Sequence, residues 1–294
     1  MVAGHTTGRT VFQVVNYCLL TVLFFLCFLP FVHVLAVSLS ARVPAVANEV
    51  TFWPVGTNLE SYRRMFEAPD FIHSLFMSVK RVALGVPINF VLTVLVAYPL
   101  SKEAGRFRFR TAYAWFFVVT MLINGGLIPW YLTVRLFGLI DSVWALVLPS
   151  AVQVFSVMIM LNYFRGLPKE LEESALMDGA SHWRILWWIY IPVSIPCLAT
   201  IVLFSFVFHW NSWFDGLLLM NSTAKFPLQS LLQTFIVGSS TKFFSMADLL
   251  RLKHASEASM KSALIVMGCV PVFMVFPFLQ RFLMTGLVLG SVKQ

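Results

Sequence analysis

The residues whose types and spacing point to a defined chemistry lie in one polar segment near the middle of the chain. Glu173-Ser174-Ala175 is followed by three residues, Gly179, nine residues and then Ile189-Tyr190-Ile191-Pro192. The chemistry that this pattern indicates is recognition, because small residues let the surface of another protein approach closely. The segment lies in a long polar gap between two hydrophobic stretches, and it predicts a docking element offered to a partner.

Local signals predict that residues 165–184 form a helix, a glycine break and a second helix. Pro168 suits the first position of a helix, and carboxylates that favour the helix dipole occupy the first turns. Gly179 suits a left-handed residue just past the helix end, and Ser181 can cap the second helix.

Helical spacing places four residues of the first helix on one face: Leu171, Ser174, Ala175 and Asp178. We expect this face to meet a partner. A solvated amphipathic connector that merely joins two spans is the alternative interpretation of the same pattern.

The elements that must position this segment are membrane-spanning helices. Of the 294 residues, 59% are hydrophobic and 12% are charged, whereas a soluble domain has about 25% charged residues. A bilayer core needs about 20 apolar residues per helix, since backbone amides in lipid must be satisfied within the helix. We therefore predict an all-α polytopic membrane protein with six transmembrane helices, at about 11–38, 82–100, 112–134, 143–164, 185–208 and 262–280.

The basic residues predict that both termini are cytoplasmic. An even number of spans places the two termini on one side of the membrane, and the short loop 101–110 has four basic residues in ten. Because the basic residues flank spans, membrane topology explains most of the net charge of +8. A nucleic acid partner is therefore not expected.

The chain shows no means of powering transport by itself. The predicted spans contain no Asp, Glu, Lys or Arg away from their ends, whereas ion-coupled transporters need such groups near the midplane. The sequence also contains no Gly-x-x-x-x-Gly-Lys-Ser/Thr loop, so nucleotide must be handled by another polypeptide. The histidines show no metal-ligand spacing, and no metal site is predicted.

Polar and aromatic side chains are candidates for a polar-solute path. After the fifth span, Asn211 lies between Trp210 and Trp213, where flat rings can stack on sugar rings while an amide bonds hydroxyls. Further candidates are Asn124, Tyr131 and Asn162, and the aromatic residue Trp130 offers a ring of the same kind. Alternatively, the aromatic residues are interfacial anchors, and the amides, Asn89 included, form interhelical hydrogen bonds that hold the bundle.

Residues 209–261 form the longest stretch outside the predicted membrane core. Apolar residues from Pro227 onward predict an amphipathic helix in or near the interface (Leu228, Leu231, Leu232, Phe235 and Ile236). Ser245 and Asp248 match a capping box for a second, more polar helix.

The spacing from Glu173 to Pro192 resembles the EAA motif of the transmembrane subunits of ATP-binding-cassette (ABC) importers. That motif is Glu-Ala-Ala, three residues, Gly, nine residues and Ile-x-Leu-Pro; here Ser174 replaces Ala and Ile191 replaces Leu. Further matching stretches are Ser78-Val79-Lys80, Ala97-Tyr98-Pro99-Leu100-Ser101, Asp178-Gly179-Ala180 and His209-Trp210-Asn211-Ser212-Trp213. Together they resemble the carbohydrate-uptake branch, in particular its MalG/LplC-like six-span subunits.

The resemblance implies two regions, an N-terminal helix with an outer segment (1–72) and an ABC transmembrane type-1 core (73–285) that contains the EAA segment (165–192). It assigns coupling to a partner ATPase to Glu173, Ser174, Ala175, Asp178, Gly179 and Pro192. It implies no covalent chemistry and no cofactor in this chain, because the partner ATPase binds ATP and Mg.

The expected partners follow from the same resemblance. They are two cytoplasmic ABC ATPase subunits, a homologous transmembrane subunit, an extracytoplasmic solute-binding protein that contacts about 238–260, and the bilayer of the inner membrane. The expected substrate is an oligosaccharide, for which acidic fragments such as those of alginate are one option, moved by alternating access. The residues leave two rivals open: a polar-solute channel or facilitator without an ATPase, and a membrane-embedded enzyme.

Overall fold

The computed structural model describes residues 7–103, 105–237 and 257–291. Every regular element in these ranges is helical. Three helices are long and apolar enough to cross a membrane alone: Thr7–Ser38, Pro69–Ser101 and Glu257–Ser291. Three further pairs of helices pass the same test together, and the described chain supplies up to six spans if each bent pair forms one.

The bent pairs are Arg110–Leu122 with Leu127–Leu136, Val143–Ser150 with Val154–Arg165, and His182–Val193 with Ile195–Asn211. Their bends are 115°, 44° and 84°. Shorter helices lie at Arg42–Val46, Glu60–Glu67, Glu170–Met177, Phe214–Leu219, Thr223–Lys225 and Leu228–Val237. The third pair contains a π-helical stretch, Leu186–Tyr190.

Two of the bends have local chemical causes. At the 115° bend, the amide of Gly126 donates to Oδ1 of Asn124 over 2.9 Å, and Gly126 has a φ of +88°, a conformation that suits glycine. At the 84° bend, Pro192 and Pro196 flank Ser194, and neither proline has an amide hydrogen to continue a helix.

The chain divides into two compact units. One unit comprises residues 1–68 and 234–269, and the other comprises 69–233 and 270–294. In the first, the helix Thr7–Ser38 exposes apolar side chains along most of its length, as a lipid-facing span does, and Nδ1 of His33 lies 2.8 Å from the carbonyl oxygen of Thr51.

The second unit is built around Pro69–Ser101, which we call the central helix. Its buried residues recur every three or four positions and pack against Val154–Arg165 and Ile195–Asn211. The central helix begins at Pro69 rather than near 82, and it therefore contains Arg81, which is fully buried. The prediction that the spans hold no charge away from their ends is thus wrong at this position.

Beyond the end of Ile195–Asn211, the predicted amphipathic helix is present at Leu228–Val237. Its apolar face packs into the protein instead of lying open to an interface, since Leu228, Leu231 and Leu232 are at most 5% exposed. The amide of Leu228 donates to Oγ of Ser78 over 2.7 Å, which ties this helix to the central helix. The second predicted helix, with Ser245 and Asp248, lies outside the described residues.

Candidate functional site: the EAA segment and a polar cleft

The EAA segment folds as the sequence predicts, with a helix, a glycine break and a second helix. The first helix, which we call the EAA helix, spans Glu170–Met177, and the second begins at His182. Gly179 follows with a φ of +77°, and two hydrogen bonds close the helix end: Gly179 N–H to Leu176 O at 3.0 Å and Ala180 N–H to Ala175 O at 2.9 Å. This pair of bonds is a Schellman motif, which requires a left-handed residue at Gly179.

The EAA helix presents a different face from the one that the sequence predicts. Leu171, Ser174 and Asp178 are exposed, but Ala175 is only 8% exposed and packs in the core of the unit. The exposed side also carries Glu173 and, at the helix end, Met177, which is 88% exposed. Glu172 joins Ala175 on the buried side because the two are one turn apart. Pro192 is exposed at the far end of the segment.

Glu172 is the centre of a buried ionic cluster that the sequence analysis did not single out. Its Oε2 accepts hydrogen bonds from Nζ of Lys102 and from the hydroxyl of Tyr190, each at 2.8 Å. Its Oε1 accepts from Nη1 of Arg106 at 3.2 Å. Nζ of Lys102 also lies 3.8 Å from the ring centre of Tyr98 and 4.2 Å from that of Tyr190, within the range of cation–π attraction.

These partners keep the Glu172 carboxylate ionised. Burial by itself raises the pKa of this carboxyl, but the hydrogen bonds from Lys102 and Tyr190 and the charges of Lys102 and Arg106 outweigh it and hold the pKa below its ordinary value. The cluster joins three elements: the end of the central helix, the EAA helix and the π-helical stretch Leu186–Tyr190. Glu172 thus connects the EAA helix directly to both of these elements.

A second polar network lies nearer the middle of the central helix, around Asn89. The Asn89 side-chain amide donates to the carbonyls of Ser150 at 2.8 Å and Ala151 at 2.7 Å. Its Oδ1 accepts from Oγ of Ser205 at 2.7 Å and pairs with Nε2 of His209 at 2.6 Å. Since an amide oxygen only accepts, Nε2 carries the imidazole hydrogen. The alternative interpretation of Asn89, an interhelical hydrogen-bonding residue, is therefore confirmed.

The fit between the central helix and Ile195–Asn211 depends on a glycine. A Cβ added to Gly85 would lie 2.6 Å from Cδ2 of His209, closer than real side chains approach. Gly85 thus allows the imidazole of His209 to lie directly against the central helix and to reach Asn89.

A third polar contact of the central helix is a buried ion pair between Arg81 and Asp215. Nη1 of Arg81 lies 3.1 Å from Oδ1 of Asp215 and 3.2 Å from the carbonyl oxygen of Ser212, and Nη2 also contacts the carboxylate. Arg81 has no exposed side-chain surface, whereas that of Asp215 is 17% exposed. The pairing explains how a cation is tolerated inside an apolar bundle, where an isolated charge is costly.

Asp215 faces a half-open cleft of about 410 Å³. Other lining residues include Asn124, Trp130, Phe208, Ser212 and Phe214. The cleft therefore combines flat aromatic rings with an amide, a hydroxyl and a neutralised carboxylate, the mixture that binds polar solutes such as sugars.

Among the predicted path residues, Asn124 and Trp130 line this cleft. Asn211 and Trp213 lie on either side of Ser212 in the sequence. Both are exposed, Trp213 to 40%. Trp210 is 2% exposed and stacked near Phe206, which leaves no face for a sugar ring in this conformation.

Two other predicted path residues lie elsewhere. Tyr131 packs on an apolar cluster with Val134 and Leu219. Asn162 is exposed in the last turn before Gly166, next to the EAA segment rather than beside the cleft. Asp215 was missed, because chain spacing does not reveal which residues two bent pairs bring together.

The fold and the EAA segment define an all-helical permease subunit of an ABC transporter. The polygalacturonan/rhamnogalacturonan transport system permease protein YtcP of Bacillus subtilis (strain 168) is 36% identical over 284 residues, which cover 96% of this chain and 98% of that protein. The protein LplC of the same organism is 35% identical over 289 residues, covering 98% and 97%. No family model matches the chain.

A solved structure shows the same fold. In the crystal structure of a bacterial ABC transporter involved in the import of the acidic polysaccharide alginate, one chain is 30% identical and superposes with a TM-score of 0.87, over 95% of this chain and 99% of that one. The chain belongs to the family of carbohydrate-uptake ABC transporter permease subunits. It is an inner-membrane, non-catalytic subunit, and ATP hydrolysis is done by a partner.

Proposed function

We propose that this chain is half of the translocation path of a binding-protein-dependent importer for an acidic oligosaccharide. The observation that carries the proposal is the polar cleft at Asp215, in a chain 36% identical to a permease whose name specifies polygalacturonan and rhamnogalacturonan. The alginate importer, whose chain superposes with a TM-score of 0.87, acts on another acidic polysaccharide.

The cleft is suited to such a solute because it carries no uncompensated negative charge. Arg81 neutralises Asp215, so the carboxylate can accept hydroxyl hydrogen bonds without repelling a uronate. Trp130 and Phe214 supply ring faces, and Asn124 supplies an amide donor. A sugar ring in the cleft would contact all three kinds of group.

Energy enters through the EAA helix. Its exposed side, with Leu171, Ser174 and Met177, would dock on an ATPase subunit, and Glu173 and Asp178 would border the contact. The buried Glu172 cluster would then carry the displacement to the central helix and to Tyr190. Alternating access follows if ATP binding by the ATPases moves the EAA helix and opens the cleft outward.

The assembly comprises two ATPase subunits that bind ATP and Mg, a homologous but distinct transmembrane subunit, and an extracytoplasmic solute-binding protein. In it, this chain crosses the membrane six times, with both termini cytoplasmic, so that the EAA segment faces the ATPases. One related crystal structure contains an alginate pentasaccharide-bound periplasmic protein, and it shares the fold with this chain at a TM-score of 0.57 and 15% identity. The channel alternative lacks support, since the relative YtcP is named as a permease of a transport system and the similar solved structure is an ABC transporter.

The experiment is uptake by the complete complex in proteoliposomes, with its binding protein and a panel of neutral and acidic oligosaccharides. We expect galacturonate oligomers to stimulate ATP hydrolysis and to accumulate inside, and neutral oligomers of equal length to do so less. Equal stimulation by both classes would refute the acidic specificity. Accumulation without any ATPase subunit would refute the importer mechanism itself.

A further inference from the structure

A second cavity, of about 200 Å³, lies beside the EAA helix and is distinct from the polar cleft. Five basic side chains and three carboxylates line it, so its formal charge is positive. Two of the carboxylates are already satisfied: Glu172 binds Lys102 and Arg106, and Glu103 binds Lys169. The remaining two arginines share the cavity with one further carboxylate, Glu173, so a net positive charge remains.

Those arginines are Arg110 and Arg165. Nη1 of Arg110 donates to the carbonyl of Lys102 at 2.8 Å, and Nη2 of Arg165 donates to the carbonyl of Leu100 at 3.2 Å. Within the described ranges, neither guanidinium pairs with a carboxylate. Nε of Arg110 is buried without a hydrogen-bond partner among the described atoms. Each carbonyl bond uses one of five guanidinium hydrogens, so most of the donors stay available.

Arg110 and Arg165 line the same cavity, and their like charges repel each other. An anion between them would remove this repulsion and use the free donors. The planar guanidinium fork matches a phosphate oxygen pair better than an ammonium does. Basic pockets between spans also bind anionic headgroups at the membrane surface.

We propose that this cavity binds a phosphate group between Arg110 and Arg165. The phosphate belongs to an anionic lipid headgroup or to free inorganic phosphate. Its position fixes the consequence: the bound group would tie the start of Arg110–Leu122 to the end of Val154–Arg165, beside the Glu172 cluster. A bound phosphate would thus make the surroundings of the EAA helix more rigid.

Native mass spectrometry of the delipidated complete complex tests the site directly. The probes are inorganic phosphate, phosphatidylglycerol and, as the neutral comparison, phosphatidylcholine. We expect Arg110→Gln combined with Arg165→Gln to weaken binding of one phosphate probe about tenfold or more. The control, Arg108→Gln combined with Arg184→Gln, removes two exposed charges outside the cavity and should leave binding unchanged.

A lipid headgroup and free inorganic phosphate give different binding results. A headgroup site binds phosphatidylglycerol and is not emptied by inorganic phosphate, whereas a free-anion site binds inorganic phosphate alone. The ATPase subunits also have phosphate-binding sites, but these are the same in every variant and do not contribute to the difference in binding between variants. Should the double variant not assemble, Arg110→Gln alone serves, because Arg110 has one main-chain bond. Equal binding by the cavity variant and its control, for all probes, would overturn the proposal.

Discussion

Glu172 and Tyr190 are joined by a hydrogen bond of 2.8 Å between the carboxylate and the phenol, across 18 positions of sequence. The bond links the EAA helix to the span that follows it, and both residues are only 6% exposed. Lys102 approaches the same oxygen, so the end of the central helix meets the other two elements at one atom. The glutamate that organises the segment internally is thus the neighbour of the motif glutamate, Glu173.

We predict that Glu172 contributes to the stability of the fold, whereas Glu173 contributes to coupling with the ATPase. Glu172→Gln leaves Lys102 buried without its counter-ion and should cost about 3–5 kcal/mol of unfolding free energy. Glu173→Gln removes an exposed carboxylate and should lower ATP-driven uptake without changing the unfolding temperature. Thermal unfolding of the purified complex and uptake assays measure the two effects, with the exposed Glu170→Gln as control. Equal unfolding temperatures for Glu172→Gln and Glu170→Gln would contradict the role of the cluster.

The stabilisation by Glu172 should depend on pH with a defined sign. Its pKa is lowered in the folded protein, so its contribution is complete above the ordinary carboxyl pKa of about 4.3 and is lost as the pH falls through the folded value. The difference in unfolding temperature between wild type and Glu172→Gln should be constant from neutral pH to about pH 5 and shrink below about pH 4. A difference that grows on acidification would show that the sign is wrong.

Gly179 should be required for its conformation alone. Its φ is +77°, and a Cβ there would meet no atom within 4 Å. Gly179→Ala should therefore cost about 1–2 kcal/mol through backbone strain, and the displaced helix end should reduce coupled ATP hydrolysis. Gly166→Ala is the matched control, since Gly166 has a φ of −79° and ordinary space for a methyl group. Identical ATPase rates for the two variants would contradict this assignment.

The contact of Gly85 with His209 offers a double-mutant test. Gly85→Ala alone should destabilise the protein by about 1–3 kcal/mol, because its Cβ would overlap the imidazole. In a His209→Ala background the same change should cost much less, since the ring is gone. Additive effects in thermal unfolding would mean that the two residues do not contact each other in solution.

The sequence predicts best where structure is set by neighbouring residues. Gly179 and Ser181 each determine a local backbone geometry, and the helix, break and helix of the EAA segment are confirmed. The first helix begins at Glu170, two residues after the predicted start at Pro168. The turn at Asn124 and Gly126 also has a local cause, although the 115° bend that follows from it was not predicted.

The ion pair of Arg81 and Asp215 shows why the rest could not be predicted. The two residues are 134 positions apart, and hydropathy ended the span at the charge because the partner was not visible in the sequence. The same reason hides Glu172, whose partners lie in two other elements. The burial of Trp210 and Ala175 likewise depends on tertiary packing, which no periodicity of one helix reveals.

Asn124 allows the polar cleft to be tested for the class of its solute. Asn124→Asp keeps an oxygen that accepts the amide hydrogen of Gly126, so the bend should persist while a negative charge enters the cleft. Uptake of an acidic oligosaccharide should then fall about tenfold by repulsion, and uptake of a neutral one should change little. Asn124→Ala removes both the turn acceptor and the cleft amide, so it should lower uptake of both solutes. If Asn124→Asp reduces neutral and acidic uptake equally, the residue acts through the bend and the cleft does not select by charge.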